Sequence, residues 1–255
     1  MAIDLKGKVC VITGAAMGMG AVTAEVFASA GGKVVIADFN EDLGRKQTQK
    51  IIDSGGTAAF VKVDVSKGDQ VEAMVQFVVD TYGRLDVALN NAARTPDDKP
   101  LTELDENVWN GILAVDLTGV ALCLKYELRQ MVKQGQGGSI INTSSVSGIR
   151  PQPANPAYVS AKHAVIGLTR QAAMDYSQYG IRINTVAPGA IDTPMLRGAL
   201  VQFGLEPNEY AKKLSYFGRF AQASEVAQAH LWLASDLSSY VTGAVISVDG
   251  GYTAM

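Results

Sequence analysis

Short runs rich in Val and Ile recur along the chain at residues 9–13, 33–37, 59–63, 87–90, 139–142, 182–186 and 245–248. Their apolarity is continuous rather than alternating, so as strands they must be covered on both faces, as parallel strands are by crossover helices. Longer amphipathic stretches at residues 21–30, 42–54, 70–82, 106–133, 157–179 and 224–235 supply those helices. Several end in glycine, a residue suited to the left-handed position past a helix end: Ala30 runs into Gly31-Gly32, Tyr82 into Gly83 and Tyr179 into Gly180. Strands alternating with helices predict a three-layer α/β/α sandwich, with a doubly wound, mostly parallel sheet of six or seven strands. Residues 192–220 break the alternation, mixing Thr, Pro, Met, Leu and Tyr without a core pattern. They read as a cover over a ligand.

Composition narrows the class. Of 255 residues, 47% are apolar and 18% charged, enough for a large core. No linker or charge block divides them, so residues 1–255 read as a single domain. With 22 basic against 25 acidic residues the formal charge is −3, which argues against a nucleic-acid partner. The two cysteines, Cys10 and Cys123, cannot form a multi-bridge framework and suit a reduced cytoplasm. Residues 1–8 lack a basic region followed by an apolar one, and no run of ~18 uninterrupted apolar residues occurs, so neither secretion nor membrane spanning is expected. No His, Cys, Asp and Glu cluster has metal-ligand spacing, and neither His163 nor His230 has partners suggesting a triad. A metal-independent reaction is expected.

After the first strand stands Thr13-Gly14-Ala15-Ala16-Met17-Gly18-Met19-Gly20. Three glycines at this spacing let the chain turn tightly and approach a pyrophosphate where a helix begins, and the helix dipole favours anions there. The second strand ends in Asp38, 24 residues beyond the first glycine and placed to accept ribose hydroxyls. Its neighbour Phe39 is not basic, and no cation lies in the turn, so a 2′-phosphate would meet repulsion without a charged partner. NAD is therefore expected over NADP.

These residues resemble the short-chain dehydrogenase/reductase family, whose glycine signature is Thr-Gly-x-x-x-Gly-x-Gly. The likeness extends through Asp64-Val65, Asn90-Asn91-Ala92-Ala93, Tyr158-Val159-Ser160-Ala161-Lys162 and Pro188-Gly189 to Asp249-Gly250-Gly251, nearly the whole chain. It implies a Rossmann fold with a seven-stranded sheet. It also implies that Gly14, Met17, Gly18, Met19, Gly20, Asp38, Phe39, Asp64, Val65, Asn91, Ala92, Ala93, Pro188 and Gly189 form the dinucleotide site. Ile191 and Thr193 would hold the nicotinamide carboxamide, and Lys162 the nicotinamide ribose. Ala93 stands where the family usually has glycine.

Tyr158 and Lys162 are four apart, so on a helix they share one face, and a nearby ammonium is expected to lower the phenol's pKa. Such a tyrosine can take a proton from an alcohol or return one to an alkoxide. Ser145, 13 residues before Tyr158, matches the family's serine spacing and would donate to the substrate oxygen. Asp116 is a departure, since the family commonly has Asn there, completing a tetrad through its backbone carbonyl. The carboxylate would either raise the lysine's pKa or be protonated once buried. The expected activity is NAD-dependent hydride transfer between nicotinamide and a secondary alcohol or ketone. The pocket candidates Val146, Ile149, Met195, Leu196, Val201 and Phe217 suit a medium-sized or cyclic substrate. The alternatives are a 3-oxoacyl thioester reductase and a dinucleotide-binding scaffold without catalysis. The resemblance further implies a homotetramer, with residues 106–133 and 157–179 pairing across one interface.

Overall fold

Each apolar run folds as a strand; the five inner ones are largely buried on both faces and the two at the sheet edges only in part. In the computed structural model, which describes residues 3–255, these are β1 (Val9–Thr13), β2 (Lys33–Asp38), β3 (Thr57–Lys62), β4 (Val87–Asn90), β5 (Gly138–Thr143), β6 (Ile181–Pro188) and the last, β9 (Val245–Val248). They form one parallel sheet in the order β3-β2-β1-β4-β5-β6-β9. A short parallel pair, β7 (Ile191–Asp192) with β8 (Ala221–Gln222), stands apart from it. Strand order reverses between β1 and β4, so the chains leaving those two strands diverge and open a crevice at the carboxyl end of the sheet.

Successive strand residues point to opposite faces, which explains the two-sided core. Val9, Val11 and Val35 pack against α3 (Gly68–Tyr82), α5 (Val120–Gln134) and α6 (Pro156–Tyr176) through Val71, Leu124 and Val165. Cys10, Ile12 and Ile36 face α1 (Gly18–Ser29), α2 (Glu41–Asp53) and α9 (Ala223–Ala234) through Phe27, Ile51 and Leu231.

Two stretches differ from the sequence expectation. Residues 106–133, expected as one regular helix, run as α4 (Glu106–Leu113), a π-helical turn over Ala114–Gly119, and α5. The turn fits tightly on the loop after β3, since a Cβ on Gly119 would come 2.8 Å from Val65 Cγ2. Glu106–Gln134 is long and apolar enough to cross a membrane, yet its buried face carries Leu124, Leu128 and Met131 onto the sheet, as in a core helix. The second stretch, residues 192–220, expected as a cover without a core pattern and without helices, holds α7 (Pro194–Gln202) and α8 (Pro207–Leu214). Each buries one residue, Leu200 or Ala211, so no apolar stripe marked them, although proline opens both and Thr193 caps the first.

A chain of buried polar groups crosses the α5 and α6 side of the sheet. Asn90 Nδ2 donates to Glu127 Oε2 and to Asn142 Oδ1, each at 3.0 Å, and Asn142 Nδ2 donates to Thr169 Oγ1 at 2.9 Å. Burial pushes the Glu127 carboxyl up to about 7, with Asn90 opposing. Its ordinary value is 4.5, so the folded state binds the extra proton. The resulting stability is full below 4.5 and is lost as pH rises through 7, a change of roughly 3 kcal/mol. Thermal melts from pH 5 to pH 8 should therefore show Tm falling in the native protein and staying flatter in Glu127→Gln.

Candidate active site

The crevice beside β1 and β4 is a cavity of about 810 Å³. Every residue singled out from the sequence for cofactor or chemistry lines it except Gly20 and Asp116. Gly20 is buried beneath the glycine turn, where a Cβ would lie 2.2 Å from Gly14 O. Asp116 sits behind Lys162.

Backbone conformation shapes the floor. Gly14 has φ +65°, and a Cβ there would come 2.8 Å from Ala92 Cα; a Cβ on Gly189 would come equally close to Asp249 Cα. Met17 precedes α1 without capping it and no acid lies in its first turn, so the helix presents its N–H groups to the cavity. Thr13 Oγ1 accepts from the amides of Asn91 (3.0 Å) and Ala92 (3.2 Å), tying the loop after β4 to the turn after β1. Asn91 Nδ2 bonds the carbonyls of Thr13 and Gly14, while its buried Oδ1 has no partner. Asp38 is fixed at the rim by two amides, Ala16 N on Oδ2 and Asn40 N on Oδ1, both at 2.9 Å. Among the described residues the cations lining the cavity are Arg94, which lies over Gly111 of α4, and Lys162. Neither stands beside Asp38.

At the other end α6 presents Tyr158 and Lys162 to the β5 terminus. Lys162 is almost fully buried, its Nζ 3.3 Å from the Thr143 carbonyl, 3.2 Å from Asp116 Oδ2 and 5.3 Å from the centre of the Tyr158 ring. Asp116 is wholly buried, with Oδ1 accepting from Arg94 N at 2.9 Å. Its contact with Lys162 has ion-pair distance without hydrogen-bond direction, so Oδ2 keeps an open lone pair. Burial disfavours the Lys162 ammonium, but Asp116 and Tyr158 outweigh it and hold its pKa above 10.5.

Tyr158 departs from the sequence reading. Its pKa is raised above 10, first by burial, with Lys162 and Ser145 pulling it down and Asp116 reinforcing the rise. The helix spacing revealed the ammonium but not the burial of the phenol, which outweighs it. Ser144 and Ser145 separate by bonding: Ser144 Oγ donates to the Lys162 carbonyl at 2.8 Å. Ser145 Oγ accepts from Ser147 N at 3.1 Å, which leaves its O–H to turn toward Tyr158, whose phenol it helps to pull down. Burial pushes His230 down to about 3, and Thr23 is its partner at 3.0 Å.

The sequence and the fold match known proteins over nearly the full length. A family model described as Enoyl-(Acyl carrier protein) reductase matches residues 14–253. "Short chain dehydrogenase/reductase astE" of Aspergillus oryzae is 47% identical over 249 residues, covering 97% of this chain and 95% of that protein. The chain belongs to the short-chain dehydrogenase/reductase family. A 2,5-dichloro-2,5-cyclohexadiene-1,4-diol dehydrogenase of Sphingobium indicum is 42% identical, with 99% of each chain covered. The crystal structure of levodione reductase superposes with a TM-score of 0.94 at 34% identity, covering 98% of this chain and 99% of that one. As a member of this family the protein is an oxidoreductase acting on CH–OH groups, and the family's cofactor is a nicotinamide dinucleotide.

Within this family frame the pocket expectation needs correction. Val146, Met195 and Leu196 line the cavity, but Ile149, Val201 and Phe217 do not. Their side chains are turned to solvent, at 40%, 83% and 75% exposure. The apolar wall is built instead by Leu200, Phe203, Leu205 and Leu214 from α7, α8 and the turn between them. Sequence reading also passed over Arg94, Asp97, Gln152 and Tyr252, whose roles depend on contacts across loops.

Proposed function

We propose that this protein is an NAD-dependent dehydrogenase of cyclic or medium-sized secondary alcohols, with Tyr158 as acid/base. The observation that carries the reading is the cluster of Tyr158, Ser145 and a buried Lys162 at the inner end of one cavity whose outer rim holds Asp38. Gly14, Gly18, Gly189 and the uncapped start of α1 leave room and N–H groups for a pyrophosphate. Met17, Met19, Val65, Ala92 and Ala93 would flank the dinucleotide, with Phe39 and Asp64 at its adenosine end. Asp38, pinned by two amides, keeps lone pairs for the ribose hydroxyls and repels a 2′-phosphate. Pro188, Ile191 and Thr193 would hold the carboxamide.

When bound, the dinucleotide accepts or supplies the hydride. The chain's own residues do the remainder. Ser145 Oγ donates to the substrate oxygen, and Tyr158 Oη removes the alcohol proton in oxidation or returns it in reduction. Lys162 favours the phenolate and binds ribose hydroxyls, while Asp116 holds the lysine in place. The aliphatic wall from residues 194–214 would cover a ring-shaped substrate, consistent with the diol dehydrogenase among the relatives. We further place the enzyme in the cytoplasm as a homotetramer. Two free, buried cysteines suit the first assignment, and family likeness supports the second.

Initial rates of NAD⁺ and NADP⁺ reduction over a panel of cyclic and linear secondary alcohols test this. NAD⁺ should be preferred by about 100-fold or more, and Asp38→Ala should erase most of that preference by removing the repulsion of a 2′-phosphate. Preference for NADPH with turnover of a 3-oxoacyl thioester would favour that reductase reading. Dinucleotide binding without turnover of any alcohol would favour a scaffold.

A further inference from the structure

The helix that carries Tyr158 and Lys162 is not capped by its own leading residue. Asn155 holds the N-cap position, but its side chain turns away to donate to the Asp97 carbonyl, and Pro156 at the first helical position has no N–H. The first two amides of α6, those of Ala157 and Tyr158, instead end on the Asp97 carboxylate, at 2.9 Å on Oδ2 and 3.0 Å on Oδ1. One acid from a loop 60 residues away thus takes the place of an N-cap. The chain reaches this point in a conformation that L-residues avoid: Ala154, at φ +58°, is the one non-glycine residue with positive φ among those described. The loop bearing Asp97 is itself anchored. Its start is held by Thr13 of the glycine turn, Arg94 N bonds Asp116, and the neighbouring Asp98 accepts from Gln202 of α7 at 2.9 Å.

We propose that Asp97 is a positioning residue for the reaction. By clamping the backbone of Tyr158 to the loop that floors the cavity, it fixes the phenol relative to the substrate and to Lys162. This rests on the acid/base reading of Tyr158 given above. The clamp acts at the reacting end of the cavity and does not touch the glycine turn or Asp38, where the pyrophosphate and the adenosine ribose would sit. Its removal should therefore appear in kcat, because a displacement of about 1 Å at the reacting groups is enough to cost on the order of 100-fold.

The test compares Asp97→Ala, Asp97→Asn and Tyr158→Phe with the native enzyme for kcat, KM, NADH dissociation constant and Tm. Asp97→Ala should lower kcat by about 10-fold or more with NADH affinity within about 2-fold of native. Asp97→Asn, which keeps one of the two acceptor oxygens and turns the other into a donor, should recover part of the loss. Native kcat in Asp97→Ala, with Tyr158→Phe inactive, would overturn the clamp and leave the acid/base reading intact. A parallel loss of kcat, NADH affinity and Tm in Asp97→Ala would also overturn it, as would failure of Asn to restore kcat. Turnover surviving in Tyr158→Phe would overturn the acid/base reading itself.

Discussion

Tyr158→Phe should lower kcat for alcohol oxidation about 10³-fold while leaving NADH binding within about 2-fold of native. The substitution removes one oxygen and keeps the ring that packs beside Lys162, so the loss falls on proton transfer and not on the shape of the site. The pH profile should carry the same signature. Burial and Asp116 hold the phenol above 10, so the phenolate fraction, and with it the rate of oxidation, should rise with pH across the neutral and mildly alkaline range. Ketone reduction, which needs the protonated phenol, should change far less there. Steady-state rates in both directions from pH 6 to pH 10 check both statements.

Asp116→Asn should have the second largest effect, and it acts on two observables. The Lys162 ammonium is almost fully buried, with Asp116 as its one carboxylate partner and Thr143 contributing only a carbonyl. Because Asp116 helps hold the Lys162 pKa above 10.5, the stability from the ion pair is present throughout the neutral range and is lost only as pH rises through the folded value. Removing one partner of a buried pair leaves an uncompensated charge, so the variant should lose about 3 kcal/mol at pH 7, measured by denaturant unfolding with NAD absent. Removal of the carboxylate also lifts one of the two influences that raise Tyr158 and leaves Lys162 pulling the phenol down. The oxidation profile should accordingly move to lower pH. An unchanged profile would show that Asp116 does not act on the phenol.

The layered fold was legible in the sequence because both sheet faces are buried, and buried parallel strands leave continuous apolar runs that need no partner to be recognised. The glycine turn was legible for a similar reason, since a close backbone approach demands glycine at fixed spacing, and it lines one cavity with Asp38. What remained hidden depends on contacts between distant segments. The π-helical turn at Asp116 leaves no mark in the periodicity, and α7 and α8 bury too little to form a stripe. The Tyr158 phenol is pushed up and not down first because it is buried, with Asp116, 42 residues away, reinforcing the rise against the Lys162 ammonium that the helix spacing presented alone. Asp97 caps a helix from outside it, which no local motif announces.

In the proposed reaction a hydride passes between a secondary carbinol carbon and NAD, and the most direct measurement follows that hydrogen. A cyclic secondary alcohol bearing deuterium on the carbinol carbon, incubated with the enzyme and NAD⁺, should yield reduced dinucleotide carrying the deuterium at C4 of the nicotinamide, as read by mass spectrometry. Reduced dinucleotide without the label, or an alcohol panel that leaves NAD⁺ unreduced while NADH still binds, would contradict the account.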